Sequence, residues 1–168
     1  FRKRGDTEQT EPWKNPKPAK TCAIFRIGGW GDALQMTSVL PGLKDRGYHI
    51  TVITNSKAEE VLRHEPLIDK FVLQDIEQVP NYQLREYWAH LSKRYDRFIN
   101  LSESVESQFL AVHDDPVFFW PQRARHSVMN GNYSETTHYI AQVPWNGIPE
   151  SRFVATEEEM KWAKSQKS

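Results

Sequence analysis

The chain has 168 residues, enough for one domain with a real core. Its 22 Lys and Arg balance 22 Asp and Glu, so it lacks the concentrated basic field expected of a partner for nucleic acid or anionic membrane. No apolar run approaches the roughly 18–20 residues of a membrane span. The N-terminal "FRKRGDTEQTEPWKNPKPAK" carries no apolar stretch of the signal-peptide kind, and the single Cys22 rules out an internal disulfide and fits a reducing, cytoplasmic compartment. The first residue is Phe1 rather than Met, so a processed, trimmed or partial chain is expected.

Residues 1–19 are polar, charged and Pro-rich, and are read as a flexible leader; a Rossmann-like domain is expected over 20–168. "TCAIFRI" is a buried strand ending at glycines, with Cys22 as a small core residue. Asp32 caps or opens the next helix, where Leu34, Met36, Val39, Leu40 and Leu43 fall near a 3.6-residue period. Pro41 should kink or weaken that helix, and Asp45-Arg46-Gly47 should stop it. "YHITVIT" is a second strand. "SKAEEVLRHE" is a helix, with Ser56 as its expected cap and Glu59 at the capping-box position. "DKFVLQ", a helix over "NYQLREYWAHLSKR" with Leu84, Tyr87, Trp88 and Leu91 on one face, and "YDRFINL" follow. Strands alternating with helices predict an α/β fold: a doubly wound parallel sheet with right-handed crossovers. Beyond Leu101, "ESVESQFLAVH" has helical character, and "DDPVFFWPQRARHSVMNGN" reads as a long irregular excursion of the kind that often carries function. "YSETTHYIAQV" is a helix with Ser134 as a candidate cap. "TEEEMKWAKSQK" is a last helix, capped by Thr156, with acids in its first turn and lysines in its last.

The loop Gly28-Gly29-Trp30-Gly31-Asp32 holds three of the chain's eight glycines against one carboxylate. It lacks the Gly-Lys-Ser/Thr ending of a P-loop. Leu34 stands where a dinucleotide fingerprint needs its third glycine, the second strand ends "ITNSK" without the ribose-binding acid, and Asp32 would repel a docked pyrophosphate. No nucleotide cofactor is therefore expected. Two readings remain open on the residues alone. One is a sharp turn with Asp32 as a helix cap. The other is a carboxylate at the carboxyl edge of a parallel sheet, where such folds bind ligands, able to accept a proton from a sugar hydroxyl, with the glycines letting a substrate approach the backbone.

"FRIGGWGDALQMTSVLPGLKDRGYHITVITNSKAEEVLRHEPLIDKFV" resembles the N-terminal half of glycosyltransferase family 9, the lipopolysaccharide heptosyltransferases. The family's Gly-x-x-Gly-Asp loop corresponds to Gly28–Asp32, and its Thr-Pro-Val-Leu-like segment to Thr37-Ser38-Val39-Leu40-Pro41. "ITVITNSKAEEVLRHEPLID" has His64-Glu65 where the family has Asn, and "YDRFINL" has Asn100 where an acid is common. The resemblance covers roughly Thr21 to Leu101, and more loosely a helix near His138. It implies the first Rossmann-like domain of a two-domain GT-B enzyme. Asp32 would be the base that activates an acceptor hydroxyl. A sugar or glycolipid acceptor would lie on this half, and a nucleotide-sugar donor on a second domain. It also implies no catalytic metal, and no turnover by the 168 residues alone.

Further candidates are weighed singly. Trp30 could stack on a sugar or pack on a neighbouring helix. Arg123 and Arg125, with His126, could bind acceptor phosphates or carboxylates, or form a solvated basic loop. Ser102, Glu103 and Ser104 follow the fourth strand at the edge expected for Asp32. Adjacent His113-Asp114-Asp115 is poor metal-ligand spacing. His138 reads as a structural histidine. Two functions stand: the acceptor half of an inverting sugar transferase, or a non-catalytic α/β module that binds a sugar or assembles with a second copy or a partner chain.

Overall fold

A computed structural model of the chain describes residues 20–74, 79–102 and 120–166. The expected leader over 1–19 and the helix over "ESVESQFLAVH" lie outside the described residues. Four parallel strands form one sheet: β1 (Lys20–Phe25), β2 (Tyr48–Thr54), β3 (Lys70–Leu73) and β4 (Arg97–Asn100), in the order β3-β2-β1-β4. The chain steps outward from β1 to β3 and then returns to place β4 on the other side of β1. That reversal is the switch point of a doubly wound Rossmann-like sheet, and folds of this kind bind ligands beyond the carboxyl ends of the strands at that point.

Strand alternation divides the apolar side chains between two faces. Cys22, Ile24, Ile50, Val52 and Ile99 share one buried cluster with residues of α1 (Trp30–Met36), α2 (Leu40–Lys44) and α3 (Ser56–Leu62). Ala23, Phe25 and Ile53 form the other with Trp88 and Leu91 of α4 (Leu84–Ser92), and Phe25 meets the Trp88 ring edge-on with centroids 5.9 Å apart. Cys22 is sealed in the first cluster, and burial pushes its thiol up to about 11 despite Arg97 nearby. It is a core residue, as expected.

The helix after β1 is weakened at Pro41, as expected, and the form is an interruption: α1 passes through a 3-10 turn at Thr37–Val39 into α2, where Pro41 sits in the first turn and needs no hydrogen-bonded N–H. Several local expectations are corrected. Asn55, not Ser56, caps α3, its side chain accepting from Ala58 N–H at 2.9 Å. The irregular excursion contains a helix, α5 (Gln122–Met129), for which Pro121 marks the start. Asn132 rather than Ser134 caps α6 (Tyr133–Ile140), accepting from the Ser134 amide at 2.9 Å. The last helix, α7 (Glu157–Ser165), is capped by Thr156, with Glu159 completing the capping box.

The C-terminal segment is fastened to the α1–α3 face. The Arg152 amide donates to Thr37 Oγ1 at 2.7 Å, and its Nε reaches Glu65, a side chain only 2% exposed, at 3.1 Å. Val143 packs where Gly42 leaves room: a Cβ on Gly42 would lie 2.6 Å from Val143 Cγ1. Gly42→Ala should therefore destabilise the fold by about 1–3 kcal/mol through overpacking, outweighing the ~1 kcal/mol of helix propensity that Ala adds. Val143→Ala in the same chain should recover part of the loss. Thermal melting of the three variants checks this.

Asp69 supplies a pH signature. Burial pushes its carboxyl up, but bonds from the Lys44 ammonium and the Ile50 amide more than offset this and hold it below the usual range. A depressed folded pKa contributes stability above the unfolded value of about 4, and that contribution is lost as pH falls through the folded value. Asp69→Asn should flatten the acid limb of a stability-versus-pH curve below about pH 4, measured by denaturant titration.

Candidate functional site

The loop after β1 lies at the carboxyl edge of the sheet, at the switch point, as the strand–helix alternation predicts. It is pinned to both neighbouring strands. The Arg26 amide donates to Ile53 O at 3.0 Å, and Asn55 Nδ2 to Gly28 O at 3.0 Å. From β4, Leu101 N–H reaches Phe25 O at 2.9 Å, and Ser102 Oγ accepts the Ile27 amide at 3.0 Å.

Asp32 is not the cap. Gly29 is the N-cap of α1, and Asp32 occupies the third helical position, from which Oδ2 reaches back to accept the Gly29 N–H at 2.8 Å. Its Oδ1 pairs with Arg26 Nη2 at 2.6 Å. The Asp32 side chain is nevertheless 33% exposed, while that of Arg26 is 3% exposed. Each carboxylate oxygen has a second lone-pair direction beyond the bond it makes, so the group can still accept a further hydrogen bond.

Arg26 is the residue sequence reasoning missed. Its Nη1 donates to Leu101 O at 3.1 Å, and its Nη2 to Asp32 and, at 2.6 Å, to the Tyr133 hydroxyl of α6. The Tyr133 ring lies 5.8 Å from the guanidinium carbon. The one available signal was an arginine inside the apolar run "AIFRI", because a cation there must be partnered if it is buried.

The three glycines are not equivalent. A Cβ on Gly28 would fall 2.5 Å from Asp32 Oδ2, so the carboxylate fills the space that a side chain would need. On Gly29 it would make an ordinary 3.7 Å contact, and on Gly31 it would meet no described residue within 4 Å. Trp30 is 57% exposed beside them and is not buried against a neighbouring helix.

Ser102 is brought to this edge, with its hydroxyl engaged by the Ile27 amide. Glu103, Ser104, His113, Asp114 and Asp115 lie outside the described residues. Arg123 stands exposed on α5, apart from the contacts that hold Asp32. Arg125 belongs to the same helix, and its side chain is outside the description. His138 is buried, its Nδ1 3.0 Å from Pro144 O and its ring edge-on to Trp145. No described helix is long and apolar enough to cross a membrane.

Among solved structures, the chain is similar to the glycosyl transferase family 9 protein from Veillonella parvula DSM 2008, with 24% identity and a TM-score of 0.39 over 49% of this chain and 26% of that one. It is also similar to the E. coli ADP-heptose lps heptosyltransferase II, with 21% identity and a TM-score of 0.46 over 89% of this chain and 50% of that one. The chain thus spans half or less of the length of each. No protein-family model and no curated protein matches it.

Gly28→Ala should push the Asp32 carboxylate off the Gly29 amide and lower the melting temperature, while Gly31→Ala should leave it unchanged or slightly raised. Asp32→Asn should cost about 1.5–3 kcal/mol, since the amide keeps one acceptor and points its NH2 at Arg26 or at the Gly29 N–H, losing a charged hydrogen bond. Denaturant unfolding of these variants measures both effects.

Proposed function

We propose that this chain is the acceptor-side half of an inverting, nucleotide-sugar-dependent glycosyltransferase of the GT-B kind, with Asp32 as general base. The observation that carries the reading is a part-exposed carboxylate, fixed at the switch point by Arg26 and the Gly29 amide. A base must be held within hydrogen-bond reach of the hydroxyl it deprotonates, and a carboxylate on a rigid edge meets that need. The sequence resemblance of Gly28–Asp32 and Thr37–Pro41 to glycosyltransferase family 9 supports the same reading.

In this reading a sugar or glycolipid hydroxyl approaches over Gly29 and Gly31, where no described side chain crowds the backbone, and the exposed Trp30 indole offers a face for a sugar ring. Asp32 takes the hydroxyl proton as the oxygen attacks the anomeric carbon. The bond to the nucleotide diphosphate breaks, and one direct displacement inverts the configuration. No metal or cofactor is assigned a part. The donor is held by a second domain facing this edge, the setting is cytoplasmic, and lipopolysaccharide-type glycans are the acceptor class. Ser102, Glu103, Arg123 and Arg125 remain proposed acceptor contacts.

A second reading has its own observation. Both Asp32 oxygens are already engaged, which suits a purely structural carboxylate in a sugar-binding or assembly module. Turnover separates the two. The 168 residues alone should show no measurable transfer, because positioning two substrates can be worth ~7–11 kcal/mol of barrier and the donor side of the cleft is not among them. Joined to a nucleotide-sugar-binding second domain, the wild-type chain should transfer sugar. Asp32→Asn, assayed below its own melting temperature, should be slower by about 10²–10⁴-fold. An Asn variant with near wild-type turnover establishes the structural reading.

A further inference from the structure

We propose that Tyr133 and Arg26 form a positioning device that sets the aim of the Asp32 carboxylate, with Tyr133 acting from α6 through the guanidinium. The proposal deepens the base reading of Asp32 and takes its functional meaning from it. Three observations carry it. Arg26 is buried, so its fork must be held by directional partners rather than by water. Among the described residues, its partners come from separate parts of the chain: Leu101 O after β4, Asp32 in α1 and the Tyr133 hydroxyl in α6, 107 positions away. A single nitrogen, Nη2, serves both Asp32 and Tyr133, each at 2.6 Å, so displacement of one changes the geometry offered to the other.

A planar guanidinium shared in this way fixes direction as well as charge. Lys could supply the charge but not the fork that reaches Leu101 O, Asp32 and Tyr133 together. With Oδ1 on Arg26 and Oδ2 on the Gly29 amide, the Asp32 side chain is confined to one rotamer, and its remaining lone pairs are presented in one orientation. The Asn132 cap holds the start of α6, and with it Tyr133, in place. Tyr133 is thus a positioning residue, acting on Asp32 through Arg26.

The test reads side-chain geometry in the full 168-residue chain and needs no substrate. In wild type, three-bond couplings across Cα–Cβ should report one Asp32 rotamer, and the Arg26 guanidinium should give separate, slowly rotating N–H signals. Tyr133→Phe keeps the ring and removes only the hydroxyl. It should average the Asp32 couplings and shift the Gly29 amide resonance, with Val52 and Leu62 amides unmoved. Arg26→Lys should average Asp32 in the same way although the charge is kept. A merely structural tyrosine would lower the melting temperature and leave the Asp32 couplings single-valued, and that result overturns the proposal. So does an averaged Asp32 or a freely rotating Arg26 in wild type, a measurement that stands even where a variant fails to fold. Failure here leaves the base reading to the Asp32→Asn turnover assay, which does not depend on these couplings.

Discussion

A buried guanidinium organises the carboxyl edge of this sheet. Once Arg26 is out of water, its N–H groups must find oxygens, because an unpartnered charge inside a protein costs several kcal/mol (about 3–5 when a partner is removed). Among the described residues, the oxygens it reaches come from three parts of the chain: the residue after β4, the first turn of α1 and the first residue of α6. Satisfying one cation therefore draws the two strands at the switch point together and brings α6 over them. Apolar packing builds the layers, but it is non-directional and cannot by itself aim a carboxylate. The fork of Arg26 can, which is why the site sits on a charge that the solvent barely sees.

The same logic fixes α1 from its other end. Thr37, which closes α1, bonds the backbone of Arg152, and the Arg152 side chain pairs with the buried Glu65 carboxylate after α3. Glu65 turns its second oxygen to the Leu67 amide at 3.1 Å. A seven-residue helix has little stability of its own, since nucleation is costly and short helices are marginal in water. Here α1 is held by Ala33 and Met36 in the core, by Arg26 at its start and by the Arg152 segment at its end. A short helix clamped at both ends places Asp32 more firmly than a long helix docked along one face.

The strands and their alternation with helices were legible because "TCAIFRI", "YHITVIT" and "YDRFINL" carry their burial in composition alone. The parallel topology and the edge occupied by Gly28–Asp32 then follow from crossover rules. Caps were read one or two residues off where two cap-capable residues lie close together. Asn55 wins over Ser56 because its amide also reaches Gly28 O, a contact 27 positions away that no local rule contains. Asn132 wins over Ser134 for the same kind of reason: the Ser134 hydroxyl is engaged with Gln35 across the fold. The carboxylate was legible and its partner was not. An arginine at the end of a strand has the look of a solvated residue until the fold brings Tyr133 and Leu101 to it. Long-range polar pairs leave no period in a sequence, so Glu65 with Arg152 was equally hidden.

The question posed by three glycines beside one acid resolves into two demands. Gly28 is required by Asp32 itself, whose carboxylate lies where a Cβ would be. Gly29 and Gly31 are under no such compulsion, since among the described residues a methyl group at either place meets open space or an ordinary contact. A turn and a helix start explain the first glycine and suit the second, which is the N-cap of α1, but would tolerate alanine at Gly31. Two more glycines beside a fixed carboxylate, with an indole exposed between them, leave a stretch of bare backbone. In the proposed reading, that stretch of backbone is where an acceptor comes close to the chain and offers a hydroxyl to Asp32.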